Sequence, residues 1–69
     1  MYFKKNLKFL TESTEINQNQ LAIKLDISRQ AITSMLKTDD PRASTLIKIS
    51  EIYNISIDDL LKKDLSQNN

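Results

Sequence analysis

Five polar side chains in one short segment are the residues best suited to recognise a ligand. At about 100° per residue, the spacing of a helix, they fall within one arc of about 140°, and apolar side chains occupy the opposite side. Arginine can donate two hydrogen bonds to guanine, glutamine can pair with adenine, and the others can bind a base edge or a phosphate. The five residues are Arg29, Gln30, Thr33, Ser34 and Lys37. None is acidic, but a polar arc alone favours an ordinary amphipathic surface helix.

The composition excludes most other kinds of chemistry. The 69-residue chain contains no cysteine, no histidine and no glycine. Without cysteine and histidine there is no thiol nucleophile, no imidazole base, no disulfide and no zinc site of the usual ligand type. Without glycine there is no P-loop and no dinucleotide-binding fingerprint. We therefore expect a protein that is not an enzyme, that needs no cofactor or metal, and that suits a reducing compartment.

The charge is balanced in total and uneven along the chain. Ten basic and nine acidic residues give a net charge of +1, which is too small to identify a nucleic-acid-binding protein. Three lysines and no acid lie within residues 1–10, whereas three acids and no base lie within residues 51–60. Any surface that attracts a polyanion must therefore be local. No stretch has the pattern of a signal peptide or a membrane span, so we expect a cytoplasmic protein without membrane contact.

Apolar residues recur at helical spacing along the whole chain, which predicts an all-α protein, a compact bundle of five short helices. No segment alternates with a period of two for long, and no hairpin-turn dipeptide is present. The predicted domain covers residues 1–65, and the polar tail, residues 66–69, is expected to be frayed. The helices are predicted over residues 3–13, 18–25, 29–37 and 41–53, with the fifth beginning at residue 57.

Residues that favour helix ends support these boundaries. The predicted N-caps of the second, third and fifth helices are Asn17, Ser28 and Ser56. Asp40 followed by Pro41 predicts the N-cap and the first residue of the fourth helix, which we expect to end at Asn54. The neighbouring Asp39 has no role that the sequence explains.

The stretch from Asn17 to Leu36 resembles the helix-turn-helix of the Cro and lambda-repressor-like family, also called the XRE type. Gln18 opens the second helix, Leu-Ala follows three residues later, Ile-Ser precedes the third helix, and Ile32 takes the apolar position midway along it. Downstream, residues 45–50 and 54–61 look like the fourth and fifth helices of the same domain. The resemblance covers about residues 3–63, nearly the whole chain, and favours this fold.

The resemblance implies a sequence-specific double-stranded DNA-binding transcriptional regulator whose third helix, the recognition helix, reads the major groove. It places the base-reading side chains at Arg29, Gln30, Thr33 and Ser34. It places contacts to DNA phosphates at Asn17, Gln18, Lys37, Thr38 and Arg42. Family members commonly dimerise around the fifth helix, where the candidates are Ile55, Leu61 and Leu65, the last of them beyond the expected core. A homodimeric repressor of phage or mobile-element type fits, as does an antitoxin or a restriction-modification controller.

Two features depart from the family pattern. The turn between the second and third helices usually contains glycine, where this chain has Asp26, which tolerates a left-handed backbone at some cost. Many members pair an arginine in the first helix with a glutamate late in the recognition helix, where this chain has Thr11 and Leu36. Because both charges are absent together, we expect no orphan buried charge.

A second functional class stays open: a protein-interaction module on the same fold, antirepressor-like or antitoxin-like, with weak or no DNA binding. Its support is the low net charge and three isoleucines that we expect to be exposed, Ile23, Ile47 and Ile52. The two classes differ in how steeply binding to random duplex DNA depends on salt.

For a DNA-binding regulator of this kind, we expect control by abundance, by competition or by a protein antagonist. The operator, the regulated genes and the sign of regulation stay open.

Overall fold

The computed structural model describes residues 1–38 and 41–67, and the other four residues lie outside the described part. Within it the protein consists of five α-helices without a β-strand, which confirms the predicted all-α fold. The helices are α1 (Phe3–Ser13), α2 (Gln18–Leu25), α3 (Arg29–Lys37), α4 (Ala43–Tyr53) and α5 (Ile57–Lys62). α1 lies against α3 and α5, α2 lies against α3 and α4, and α4 lies against α5. None of these helices is long and apolar enough to cross a membrane.

Every helix contributes at least one buried apolar side chain to a single core. α1 provides Phe3 and Leu7, which are four residues apart and therefore lie on one face of the helix. The largest contributions from the other helices are Leu21, Ile32, Ile49 and Leu60. Burying a side chain of this size stabilises the fold by about 1.5–3 kcal/mol. On α3 only Ile32 is fully buried, and Met35 and Leu36 are partly buried against the core, so that the opposite, polar face of the helix stays available to a partner.

Three of the predicted N-caps are confirmed. The side-chain oxygens of Asn17, Ser28 and Ser56 accept hydrogen bonds from the backbone N–H groups three residues on, at 3.0, 3.2 and 3.1 Å. Each bond satisfies one of the four N–H groups that a helix leaves without a partner in its first turn. Local chemistry therefore sets where α2, α3 and α5 begin.

The predicted start of α4 is wrong. The helix begins at Ala43, and Arg42 takes the extended N-cap conformation with a ψ of 151°. The Arg42 carbonyl accepts the first helical hydrogen bond from the Leu46 N–H at 2.9 Å. A start at Pro41 requires helical dihedral angles at Arg42, and the chain instead uses an extended Arg42 to enter α4. Asp40, the predicted cap, lies outside the described residues.

Both α2 and α4 are followed by a residue in the left-handed conformation. Asp26 has a φ of 57° and Asn54 has a φ of 55°. The Asp26 N–H donates to the Ile23 carbonyl at 3.1 Å, and the Ile27 N–H donates to the Ala22 carbonyl at 3.0 Å, so that these last carbonyls of α2 are satisfied. At the end of α4, the Asn54 N–H donates to the Glu51 carbonyl and the Ile55 N–H donates to the Ser50 carbonyl in the same pattern. The predicted turn at Asp26 and the predicted stop at Asn54 are confirmed, at residue types that adopt this backbone more readily than most.

Asn6 joins α1 to the end of α5. Its side chain is fully buried, and its amide nitrogen donates to the carbonyl oxygens of Leu60 at 2.8 Å and Lys63 at 2.6 Å. Its side-chain oxygen accepts a hydrogen bond from the Leu65 N–H at 2.9 Å. The asparagine thus supplies partners for carbonyl groups that α5 leaves unbonded at its C-terminal end.

An ion pair lies beside the same junction. The Lys5 Nζ is 2.7 Å from the Asp64 Oδ2. The hydrogen bond from Lys5 holds the pKa of the Asp64 carboxyl below its ordinary value. The stabilisation is therefore fully present above the ordinary pKa of the carboxyl and is lost as the pH falls through the lowered pKa. The Asp64 Oδ1 accepts the Ser66 N–H at 3.1 Å and the Ser66 hydroxyl at 2.6 Å, which ties the chain beyond α5 to this carboxyl.

The two positions that lack the family's ion pair are packed without charge. Thr11 is buried, and its hydroxyl donates to the Lys8 carbonyl at 3.0 Å. Leu36 is partly buried against the core. In the described part of the chain, no buried side-chain nitrogen or oxygen lacks a hydrogen-bond partner. The joint replacement therefore leaves no orphan charge at these positions.

Candidate nucleic-acid interface

The outer face of α3 presents the five polar side chains that helical spacing brings together. All five are exposed, while Ile32 on the opposite face is fully buried. The Thr33 hydroxyl donates to the Arg29 carbonyl at 3.1 Å, and its oxygen can still accept a hydrogen bond from a ligand. The structure thus places Arg29, Gln30, Thr33, Ser34 and Lys37 on one solvent-facing surface.

A three-residue turn sets the direction of α3 relative to α2. Asp26 takes the left-handed conformation, Ile27 bonds back to α2 through its N–H, and Ser28 caps α3. Each residue of the turn therefore has a defined backbone role. The outer face of α3 is consequently held in a fixed relation to the start of α2.

A concave surface joins the start of α3 to the start of α2. It encloses about 350 Å³, and its lining residues are Thr11, Glu12, Asn17, Gln18, Asn19 and Arg29. Two residues predicted to contact phosphates, Asn17 and Gln18, thus share one surface with a predicted base-reading residue, Arg29. The cap bond from the Gln20 N–H to the Asn17 Oδ1 holds one of these side chains in place.

Sequence reasoning missed three members of this concave surface, Thr11, Glu12 and Asn19. Asn19 follows Gln18 in the first turn of α2, and that position was a signal that it shares the surface. No sequence signal places Thr11 and Glu12 there, because the way the last turn of α1 faces the start of α2 depends on the conformation of the connection between them. Glu12 adds a carboxylate to a surface that also carries amide and guanidinium donors, and this charge disfavours a phosphate close to it.

Three further residues predicted to contact phosphates lie at the C-terminal end of α3 and at the N-cap of α4. Lys37 is eight residues from Arg29, which is about 12 Å along the helix axis. The Thr38 hydroxyl donates to the Ser34 carbonyl at 3.1 Å, and Arg42 is exposed at the N-cap of α4. The structure does not bring Lys37, Thr38 and Arg42 into the concave surface. Asp39 and Asp40, between them, lie outside the described residues.

The helix-turn-helix segment, residues 18–37, is more basic than the chain as a whole. Its charged residues are Lys24, Arg29, Lys37 and a single acid, Asp26. All four are exposed, and neither α2 nor α3 contains an acidic residue. Because the net charge of the chain is small, binding to a polyanion requires a locally positive surface. This segment provides one. In the described residues, no group of three or more acidic side chains is arranged to hold a metal ion.

The three residues predicted at a dimer surface pack against the core of their own chain. Ile55, Leu61 and Leu65 are partly buried there, so that part of each side chain stays accessible. The expectation that Leu65 lies beyond the core is wrong. Asn6 binds the Leu65 N–H and so holds this segment against α1.

Two of the three isoleucines expected to be exposed are exposed. Ile23 on α2 is 72% exposed and Ile47 on α4 is 50% exposed. Ile52 is instead partly buried against the core, because the face of α4 that carries it lies toward the other helices. Apolar surface therefore remains on α2 and α4 for contact with a partner.

The sequence of this chain is similar to those of known proteins. The model of the helix-turn-helix family matches residues 12–60, more than half of the chain, including all of α2, α3 and α4. Over 66 residues, 94% of this chain, the sequence is 38% identical to an uncharacterised HTH-type transcriptional regulator of Bacillus subtilis (strain 168), YqaE, and the chain spans 57% of that protein's length. No solved structure gives a significant match. Because the family match includes both helices of the motif and the turn between them, the chain belongs to the helix-turn-helix family of the XRE type.

Proposed function

We propose that the chain is a sequence-specific double-stranded DNA-binding transcriptional regulator that inserts α3 into the major groove. The observation that carries the proposal is one surface formed by the starts of two helices. Arg29 of α3 lines the same concavity as Asn17 and Gln18 of the α2 start. That juxtaposition allows one docking position to provide both a base contact and phosphate contacts.

The dimensions of α3 suit this role. Nine residues make a helix about 14 Å long, and the major groove is about 12 Å wide. Arg29 and Gln30, at the N-terminal end, enter the groove first. Thr33 and Ser34 lie one turn further and contact bases or the adjoining backbone. Lys37, Thr38 and Arg42 then contact phosphates at the opposite edge of the groove.

The start of α2 supplies a second type of phosphate contact. The Asn17 side chain already serves the Gln20 N–H, whereas the N–H groups of Gln18 and Asn19 have no partner within the helix. Such groups, together with the positive end of the helix dipole, favour an anion. The Glu12 carboxylate lines the same concavity and repels a phosphate from its own vicinity.

We further propose a small cytoplasmic repressor of phage or mobile-element type, controlled by its abundance, by competition or by a protein antagonist. The description of the similar Bacillus subtilis protein as an HTH-type transcriptional regulator supports the regulatory class. The chain spans 57% of the length of that protein, so the signals and partners that control this chain are proposed here independently of it.

A homodimer is part of the proposal, because one recognition helix spans too few base pairs for useful selectivity. Two copies that pair through the accessible parts of Ile55, Leu61 and Leu65 would place half-sites about 34–36 Å apart. Sedimentation equilibrium and a footprint on the bound operator test this arrangement. We expect a dimer and two protected half-sites. A monomer at all concentrations, with one protected half-site, would refute it.

The salt dependence of binding tests the function itself. We expect affinity for a random-sequence duplex to fall steeply between two salt concentrations, because cations that neutralise phosphates release counterions. Lys37→Ala is expected to lower the slope of log K against log salt by about one unit, on any DNA sequence. Lys62→Ala is the matched control, since Lys62 is an exposed lysine of α5, and its slope is expected to equal that of the wild type.

The same titration distinguishes the alternative, a protein-interaction module on this fold. That class is favoured by the exposed Ile23 and Ile47, which offer apolar contact area on α2 and α4. It requires little or no affinity for duplex DNA even at low salt. If the wild type binds DNA and Lys37→Ala leaves the slope of log K against log salt unchanged, the C-terminal end of α3 does not contact DNA.

A further inference from the structure

Tyr53 ties the end of α4 to the connection between α1 and α2. Its hydroxyl donates to the Ile16 carbonyl at 2.7 Å, and its ring is partly buried against the core. The Ile16 N–H donates to the Thr14 Oγ1 at 3.2 Å, and the Thr14 hydroxyl donates to the Leu10 carbonyl at 2.6 Å. Both backbone polar groups of Ile16 are therefore bonded, one toward α1 and the other to α4.

The Ile16 carbonyl belongs to the peptide unit that leads into Asn17. Because a peptide bond is planar, fixing the direction of this carbonyl also fixes the direction of the Asn17 N–H. Asn17 begins α2: its side chain accepts the Gln20 N–H at 3.0 Å, and its carbonyl accepts the Leu21 N–H at 2.8 Å. The Tyr53 hydroxyl thus acts one peptide unit away from the residue that starts α2 and lines the concave surface.

We infer that Tyr53 is a positioning residue for the DNA phosphate at the start of α2, an inference that rests on the proposed function. The hydroxyl holds the α1–α2 connection in the conformation that directs Asn17 and Gln18 into the concave surface. Without it, the connection samples more conformations, and ordering them on binding costs entropy that weakens the complex. Tyr53 itself contacts no DNA in this arrangement.

The hydroxyl is a donor under ordinary conditions. Burial raises the pKa of Tyr53 to about 12, against a smaller opposing effect of a hydrogen bond with the Thr14 side chain. The phenol therefore stays protonated well above neutral pH. The bond to Ile16 is consequently a constant feature of the fold across the pH range in which DNA binding is measured.

Removal of the hydroxyl alone is the direct test. Tyr53→Phe is expected to weaken binding to a random-sequence duplex about threefold to tenfold, the effect of one hydrogen bond. Tyr2→Phe is the matched control, since Tyr2 is exposed and its backbone N–H bonds to Leu61, at the junction of α1 with α5. Its affinity is expected to equal that of the wild type. Affinity is measured by fluorescence anisotropy, and circular dichroism establishes that each variant is folded at the assay temperature.

A double-mutant cycle with Gln18→Ala separates positioning from general destabilisation. If Tyr53 acts through the start of α2, Tyr53→Phe weakens binding in the wild-type background and has a smaller effect when Gln18 is already alanine, because part of what it positions is then absent. Thr14→Ala, which removes the other anchor of Ile16, is expected to show the same non-additivity.

Two results would overturn the inference while the wild type binds duplex DNA. One is a Tyr53→Phe protein with wild-type affinity, and the other is a loss that adds fully to that of Gln18→Ala. A wild-type protein without affinity for duplex DNA at low salt would refute the proposed function, and this inference with it.

Discussion

Asn6→Ala is expected to lower the free energy of unfolding by about 3 kcal/mol. Asn6 is fully buried, and its side chain bonds backbone groups of Leu60, Lys63 and Leu65. Alanine would leave the Leu60 carbonyl, the Lys63 carbonyl and the Leu65 N–H without their side-chain partner. A buried group left unsatisfied costs about 1–3 kcal/mol, and the bonds of Lys63 and Leu65 are only partly buried, so that most of the loss comes from the Leu60 carbonyl and from the cavity. A domain of this length is marginally stable, so this loss is a large fraction of its total stability.

Urea denaturation followed by circular dichroism measures this loss, with three comparison variants. Asn19→Ala removes the same side chain from an exposed position on α2 and is expected to change stability by less than about 0.5 kcal/mol. Lys5→Ala breaks the neighbouring ion pair with Asp64, and we expect a much smaller loss because the lysine is exposed to solvent. Asn6→Leu keeps most of the volume without the hydrogen bonds and is expected to remain strongly destabilised.

The result that contradicts this prediction is an Asn6→Ala protein no less stable than Lys5→Ala. It would mean that water or a local rearrangement satisfies the end of α5 without the asparagine. If Asn6→Leu is stable, the loss of stability in Asn6→Ala comes from the missing volume, since leucine fills the space and forms none of the hydrogen bonds.

Arg29→Ala and Gln30→Ala are each expected to reduce affinity for the preferred DNA site by about 1–3 kcal/mol, and affinity for random DNA by much less. Both residues are exposed at the N-terminal end of α3, the end that the proposed function directs toward the base edges. The loss is expected to be specific because each side chain would form hydrogen bonds with particular base atoms rather than with phosphates. Neither substitution removes core packing, so thermal unfolding is expected to stay close to that of the wild type.

The preferred site is first selected by the wild-type protein from a library of random duplexes. Each variant is then titrated against that site and against a random duplex at the same salt concentration. Lys37→Ala serves as the contrasting variant, because the loss of a phosphate contact is expected to lower affinity for both duplexes alike. Equal losses on the two duplexes for Arg29→Ala and Gln30→Ala would reduce these residues to backbone contacts and refute base reading by α3.

Much of the fold was predictable because its signals act over short distances. Asn17, Ser28 and Ser56 cap helices through bonds that reach only three residues along the chain. Asp26 and Asn54 end helices through backbone conformations intrinsic to their residue types. The start of α4 was mispredicted, because the chain enters the helix through an extended Arg42 and not through the Asp-Pro pair.

The sequence by itself determined the five helices, the exposed polar face of α3 and the family resemblance, since these depend on local bonds and on apolar periodicity. The tertiary structure alone decided which distant residues meet. Asn6 bonds a segment more than 50 residues away, and Tyr53 bonds a carbonyl 37 residues away. It also decided that Glu12 and Arg29 line the same concave surface. Such contacts leave no periodic trace in the sequence, because each depends on how complete helices pack together.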